Sequence, residues 1–475
     1  MAIKKRKKKK KCKKVEQIKQ NNKKKIRKWS DDGVKTGKTP NVVLLRALWY
    51  KTYQTNVQRS DERMNRYEQR RRRVLDQLQF GEMMVLYSGE SVACSMDEGF
   101  DFEANHHFFY LTGLRRENMA LVLANTHRPA HVILFIEEPI PDMERWTGRR
   151  VTIDEARAVS GIDDVRYIDS VDSLISRCIA RETVEAAYFD CYRNAMGDVD
   201  SYNMHKAKRF MQAYPAIALK DAHPMIAAMR MVKDEDEVKT LERAITVTDQ
   251  GLRRVLATLE PGRMEYQQQA EFEYEIRMQG AERVSFPTIA GSGMNGCMLH
   301  YGTNQCKLED GKLLLLDLGA RVDGYCADIT RTYPINGKYT PRQKQIYDIV
   351  LRANREVAKA ARPGVTLREL NDLCKKVLAE GLTAIGKIQS ADEIGRYYMH
   401  GVSHHLGIDT HDCAVREDLG LRAGMVISDE PGLYIDEEEI GIRIEDDLLI
   451  TDEGCRMLSE AIPRTTEEIE ALMAR

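Results

Sequence analysis

Apolar residues are spaced in two ways along the chain. Short runs bounded by turn residues at Met84–Ser88, Phe108–Leu111, Met119–Ala124 and His131–Ile136 predict strands. Helical patterns lie among them at Ile153–Val159 and Val171–Ala180. The alternation predicts an α/β layer over roughly 82–215. From Asp234 to Leu259 the period lengthens, and Val238, Leu241, Ala244, Ile245, Val247 and Leu252 form one helical stripe. Acids at 234–237 suit the positive end of that helix. Pro261-Gly262 ends it, and a second helix continues to about Gly280.

Beyond residue 283 the pattern predicts strands and loops, then two helices, then strands. Lys312–Leu318 and Tyr325–Tyr333 read as strands joined by a turn at Asp323-Gly324. Thr340-Pro341 pairs an N-cap with proline at the first helical position, opening a helix to about Ala361. Pro363-Gly364 breaks it, and another helix runs from Thr366 to about Glu380, capped by Gly381. A helix is also expected from near Asp61 through Arg70–Arg73 toward Leu78. The fold class is α+β in the second half and α/β in the first. The expected organisation is a tail over 1–60, an α/β domain over 61–220 and a second domain over 221–475, with the junction near 215–233.

Composition narrows this picture. In 475 residues, 43% hydrophobic and 31% charged, the chain can bury a core, which excludes wholesale disorder. Apolar runs such as Val132–Ile136 are strand-sized, far from the ~18–20 residues that cross a bilayer, so a membrane-spanning protein is not expected. The net charge of zero hides an asymmetry. Residues 1–28 hold 16 Lys or Arg against the single acid Glu16, and the remainder has 57 basic and 72 acidic residues. No apolar stretch follows the basic start, so it does not read as a secretory signal. Ten scattered cysteines without a zinc-spaced pair read as free thiols in a reducing compartment, hence a cytoplasmic protein. The tail, with ten Lys or Arg at 4–14, reads as a solubilising extension; electrostatic contact with nucleic acid or a ribosomal surface is the alternative.

The candidate chemistry lies in the second half. Asp317 ends the apolar strand Leu313-Leu314-Leu315-Leu316, and a buried carboxylate needs compensation. Across a hairpin turning at 323–324, Asp328 lies beside it. Two such acids need a shared proton, a metal or an arginine, for which Arg331 is a candidate. Four of the eleven histidines, His400, His404, His405 and His411, fall within twelve residues among glycines, which favours a site. Gly401 follows His400 where a zinc-protease helix needs Glu, so that motif is absent. Glu430 and Glu445 sit in apolar, strand-like contexts. A solvated strand edge suits their neighbours Asp429, Asp446 and Asp447 better than it suits them. Asp317, Asp328, Glu430 and Glu445 supply four negative charges, a neutral His404 completes the donors, and two divalent cations would balance them. Oxygen-rich donors with one imidazole and no thiolate suit Mn²⁺, Co²⁺ or Zn²⁺.

On these residues the chain resembles the pita-bread metallopeptidases, and among them the Xaa-Pro aminopeptidases. The resemblance runs from about 62 to 470 and includes the order Asp317, Asp328, His404, Glu430, Glu445. Phe108-Phe109-Tyr110-Leu111-Thr112-Gly113 and Trp146-Thr147-Gly148-Arg149-Arg150 resemble that subfamily's N-terminal domain, and Met229–Glu235 its entry into the catalytic domain. The resemblance implies a curled antiparallel sheet covered by helix pairs, preceded by an α/β domain. It implies that Asp328 and Glu445 bridge two metals, that Asp317 completes one shell, and that His404, rather than His405, and Glu430 complete the other. It implies attack by a bridging hydroxide, with Glu430 moving the proton. It places His300, His400 and His411 on the substrate side, His411 at the developing oxyanion, and Arg443 near the substrate and behind the ligands. His300 and Tyr301 are implied neighbours of the proline ring. The implied substrates are peptides with proline in second position, cut by a homo-oligomer, dimeric or tetrameric. A Xaa-Pro dipeptidase is the nearest alternative, and a non-catalytic peptide-binding module a remote one.

Overall fold

The computed structural model describes residues 65–416 and 419–474, so the basic tail expected over 1–60 lies outside the described residues. The first helix, α1, spans Arg66–Gln77. Then follow β1 (Glu82–Tyr87), α2 (His106–Thr112), β2 (Ala120–Ala124), β3 (His131–Ile136), α3 (Pro141–Thr147) and α4 (Ile153–Ser160). The region closes with β4 (Asp164–Tyr167), α5 (Val171–Arg181), β5 (Ala186–Phe189), α6 (Tyr202–Ala213), β6 (Ala218–Asp221) and α7 (His223–Arg230). The strands form one sheet in the order β4-β3-β2-β1-β5-β6. β2 runs antiparallel to β1 and β3, and the other pairs are parallel. On β1, Met83, Val85 and Tyr87 pack with residues of α5 and α6, while Met84 and Leu86 pack with residues of α1, α2 and α4. Both faces are covered, which is why this strand is apolar almost throughout.

The strand expected at Phe108–Leu111 is instead part of α2. The Asn105 side chain accepts from Phe108 N, and Gly113 closes the helix in the left-handed conformation at φ 74°. Phe108, Phe109, Tyr110 and Leu111 are all buried, so no polar face marks the helical period.

The second half opens with two helices, α8 (Glu235–Thr258) and α9 (Glu265–Met278). Asp234 caps α8 by accepting from the backbone N–H groups of Asp236 and Glu237. Strands β7 (Arg283–Val284), β8 (Ile289–Ser292), β9 (Leu313–Leu318), β10 (Ala320–Val322), β11 (Tyr325–Cys326) and β12 (Ile329–Pro334) follow. The expected long hairpin is divided in two. β9 pairs with β12 in one sheet, and β10 pairs with β11 in another. Its tip is Asp323-Gly324, with φ of 49° and 84°, the two positive values of a type I′ turn. A second helix pair, α10 (Pro341–Ala360) and α11 (Leu367–Ala384), then precedes β13 (Val426–Asp429), β14 (Gly432–Ile435), β15 (Ile440–Arg443), β16 (Asp446–Ile450), β17 (Cys455–Met457) and α12 (Thr466–Met473). Every strand pair in this half is antiparallel. One apolar core joins both helix pairs to these strands.

Two expectations fail here for a common reason. Asp429, Asp446 and Asp447 are fully buried rather than at a solvated edge. Helices cover the β13–β16 pair, and Asp446 is compensated by Arg331 at 2.7 Å, itself fully buried. Gly381 does not cap α11 but lies inside it, where the helix meets α10. A Cβ there would stand 2.4 Å from Ile349 Cγ2. Helix propensity favours Gly381→Ala by about 1 kcal/mol, whereas overpacking costs about 1–3 kcal/mol. The G381A variant is therefore expected to unfold at lower denaturant concentration than the parent; a higher midpoint would show that the interface yields.

Candidate metal centre

The site is assembled from strand ends. Asp317 is the fifth residue of β9, opposite Thr330 of β12 on one side and Ile289 of β8 on the other. Asp328 immediately precedes β12, and its backbone N–H donates to Asp447 Oδ2 at 3.3 Å. Residues 402–406 run beside β13. Ser428 N donates to His404 O at 2.9 Å, Glu430 N to Val402 O at 2.9 Å, and Leu406 N to Val426 O at 3.0 Å. In such an extended stretch successive side chains alternate. His404 therefore faces the acids, while His405 is buried with its Nδ1 lacking a hydrogen-bond partner among the described residues. Glu445 lies between β15 and β16, held by its backbone N–H on Thr330 O at 3.0 Å.

These elements converge on one cavity of about 640 Å³. Asp317, Asp328, His404, Glu430 and Glu445 line it. So do His300, His400, His411 and Arg443, with Phe286, Pro287, Ile289 and Leu299 as an apolar wall. His404 Nε2 stands 3.4 Å from Asp328 Oδ2, 3.6 Å from Glu430 Oε1 and 3.9 Å from Glu445 Oε1. Candidate ligand atoms of Asp328, His404 and Glu445 all lie within 4.8 Å of one another. The His404 and His411 rings approach to 4.2 Å between centroids. Tyr301 does not line this cavity. Its hydroxyl turns away to Glu265 Oε2 at 2.8 Å, so only His300 of the expected pair faces the site.

Charge is concentrated here. Burial, then the nearby Asp317 charge, raises the Asp328 carboxyl to about 6 despite its hydrogen bond to His404. Burial, with Asp328 and Asp317, raises Glu430 to about 7, against the pull of His404 and Arg443. Glu445 is pushed well above the carboxylate range by burial and by Asp328, Glu430 and Asp317. Burial alone would lower His404, but its hydrogen bond to Asp328 and that residue's charge hold it up at about 9. His400 is lowered to about 4 by burial and Arg443, and His411 to about 4 by burial and His404. The expected Asp–Arg pair uses Arg443 rather than Arg331: Arg443 Nη2 donates to Asp317 Oδ2 at 2.6 Å. Asp317 Oδ1 is buried with no hydrogen-bond partner among the described residues. Four carboxylates, one imidazole and one oxygen left for a further partner fit a pair of divalent cations.

Two residues that sequence reasoning missed support this arrangement. Thr330 Oγ1 donates to Glu445 Oε2 at 2.7 Å and accepts from Arg443 Nε at 3.2 Å. Its signal was present, since it lies two residues after Asp328, on the same face of a strand. The Tyr434 hydroxyl meets Arg443 Nη1 at 2.8 Å and His400 Nε2 at 2.9 Å. No local pattern marks it. The loop carrying His411 is held from the first half of the chain. Arg230 Nη2 reaches Asp409 Oδ2 at 2.7 Å and Asp412 Oδ1 at 2.5 Å. His106 Nδ1 meets Asp409 Oδ1 at 2.7 Å while its Nε2 meets Glu103 Oε1 at 2.8 Å.

Small antiparallel sheets, two helix pairs and clustered carboxylates around one imidazole define a metal-dependent hydrolase. The family profile of metallopeptidase family M24 matches residues 239–452, and that of the aminopeptidase P N-terminal domain matches 67–187. The Xaa-Pro aminopeptidase of Escherichia coli is 34% identical over 434 residues, spanning 86% of this chain and 97% of that one. Human Xaa-Pro aminopeptidase 3 is 28% identical over 83% of this chain and 81% of its own. A solved structure of Escherichia coli aminopeptidase P with the inhibitor Pro-Leu superposes with a TM-score of 0.77 at 33% identity, covering 86% and 97% of the two chains. The chain belongs to metallopeptidase family M24, with the pita-bread fold and an aminopeptidase P type of N-terminal domain.

Thr330→Val tests the support of the centre without altering its charge. Divalent-metal affinity is expected to fall roughly 10- to 100-fold, the usual cost of losing a group that orients a ligand. Calorimetric titration of the stripped protein with Mn²⁺ reads this directly; unchanged affinity would mean that Glu445 is oriented without the hydroxyl.

Proposed function

We infer that this chain is a metal-dependent Xaa-Pro aminopeptidase, releasing the first residue from peptides with proline second. The observation that carries the reading is the convergence of Asp317, Asp328, His404, Glu430 and Glu445 on one cavity. These five, Asp328 and Glu445 among them, would hold two divalent cations, Mn²⁺ by preference. Bound there, the cations would polarise the scissile carbonyl and make water a nucleophile near neutral pH.

The chain's own residues supply the rest. The leaving group at an X–Pro bond is the ring nitrogen, which carries no hydrogen in the peptide and must be protonated to depart. Glu430, raised by burial, would take a proton from the attacking water and return it to that nitrogen. His411, lowered by burial and the neighbouring His404, would donate an N–H where negative charge develops on the carbonyl oxygen. His400, anchored on Tyr434, and His300 bound the substrate side. Arg443 holds Asp317 in place and neutralises part of the crowded charge. The apolar wall of Phe286, Pro287, Ile289 and Leu299 excludes water beside the reacting bond.

The same reading takes the protein as a cytoplasmic homo-oligomer. Among the described residues, no helix is long and apolar enough to cross a membrane. The ten Lys or Arg at 4–14 would suit electrostatic contact with nucleic acid or the ribosome. Hydrolysis of a Xaa-Pro-Xaa tripeptide and a Xaa-Pro dipeptide, side by side, tests the activity on stripped enzyme reloaded with Mn²⁺. Metal-dependent cleavage of the tripeptide is expected. Dipeptide-only cleavage would make it a dipeptidase, and no cleavage with Mn²⁺, Co²⁺ or Zn²⁺ would leave a binding module.

A further inference from the structure

The reaction just described does not use Glu265, the first residue of α9. Its side chain is fully buried, yet no Lys or Arg donates to it among the described residues. Instead its Oε1 accepts from Ser292 N at 2.8 Å, Ser292 Oγ at 2.7 Å and Asn295 Nδ2 at 3.0 Å. Its Oε2 accepts from Tyr301 OH at 2.8 Å and Cys306 N at 2.9 Å. The donors at 292, 295, 301 and 306 bracket His300. A second strut stands beside the first. Asn304, at φ 50°, donates through Nδ2 to Gln269 Oε1 at 2.9 Å and Thr288 O at 2.7 Å, and accepts from Ala290 N at 3.0 Å.

The segment 298–305 has no helix or strand of its own, so nothing in its local backbone specifies its path. His300 itself is exposed, and with Leu299 and Gly302 it lines the cavity. Burying a carboxylate is costly unless every lone pair is used. An apolar residue at 265 would pack the helix against the loop without directing it. Five hydrogen bonds fixed in direction specify one path.

We propose that Glu265 is a positioning residue for the substrate-side histidine: it sets the course of the 298–306 loop and so places the His300 imidazole against the bound peptide. The proposal rests on the aminopeptidase reading of the cavity. Glu265→Gln keeps the shape of the side chain but turns one oxygen into a donor, which then faces either Tyr301 OH and Cys306 N–H or the Ser292 and Asn295 donors.

The test is a double-mutant cycle between E265Q and H300A, with kcat and KM for a Xaa-Pro-Xaa tripeptide, melting temperature and bound metal measured on each protein. In the parent, E265Q is expected to lower kcat/KM roughly 10- to 100-fold, the cost of ångström-scale misplacement, with the metal retained. In the H300A background the same change is expected to alter kcat/KM by less than about threefold, because coupled residues are not additive. Equal losses in both backgrounds would overturn the proposal and leave Glu265 a stabiliser of the fold. So would undiminished kcat/KM in folded E265Q. Where E265Q does not fold, Tyr301→Phe replaces it in the same cycle, with the same two expectations at smaller amplitude. The imidazole NMR resonance of His300, identified by its loss in H300A, gives a readout independent of turnover. It is expected to shift or broaden in the Glu265 or Tyr301 variant, and an unmoved resonance would overturn the proposal. An inactive metal-loaded parent whose His300 resonance still responds would sink the aminopeptidase reading instead.

Discussion

Four carboxylates share one cavity wall, and the rest of the catalytic half is arranged around their mutual repulsion. Asp317 and Asp328 come from one stretch of the chain and Glu430 and Glu445 from another, all at or near strand ends. Asp328, Glu430 and Glu445 lose hydration on burial, and the neighbouring acids raise the cost of ionising each of them. Within the protein itself Arg443, His404 and the Thr330 hydroxyl offset part of this cost. The remainder is the driving force for cations. Such crowding persists only on a stiff support, since flexible loops would let the acids swing apart. Antiparallel pairing of β9 with β12 and of β13 with β16 provides that support. Asp446, directly after Glu445 in the chain, pairs with the fully buried Arg331, whose Nη1 also donates to the Glu445 carbonyl at 2.6 Å.

The histidines proposed to face the substrate are mounted differently from the acids of the cluster. His300 and His411 lie on segments without regular structure, and each is held by buried charge from outside its own segment. For His411 that charge comes from the N-terminal half: His106 and Arg230 grip Asp409, and Arg230 and Lys233 grip Asp412. The α/β domain thereby contributes order to the cavity rather than lining it. For His300 it comes from Glu265, which uses neutral donors and a helix N-terminus in place of a counter-charge.

Much of this was legible in the residues because caps and periodicity are local. Asp234 and Thr340 marked the starts of α8 and α10, and the apolar run ending in Asp317 marked β9. Where burial is uniform, the local signal vanishes. Phe108–Leu111 is apolar on every side, so its four residues fit a strand as well as the helix they form. Asp429, Asp446 and Asp447 look like an exposed edge because charge is usually exposed; only the covering helices and Arg331 reveal otherwise. Tyr301 adjoins His300 in the chain but serves the opposite side of the loop.

By itself, the sequence determined the helices with strong caps and the presence of acids in apolar strand contexts near a cluster of histidines. Those properties depend on residue type and short-range spacing. Which arginine meets Asp317, which face Tyr301 takes, and that Thr330, Tyr434 and Glu265 belong to the site were decided only by tertiary structure. Each of those choices depends on a contact between segments brought together by packing, and no local periodicity encodes the partner across such a gap.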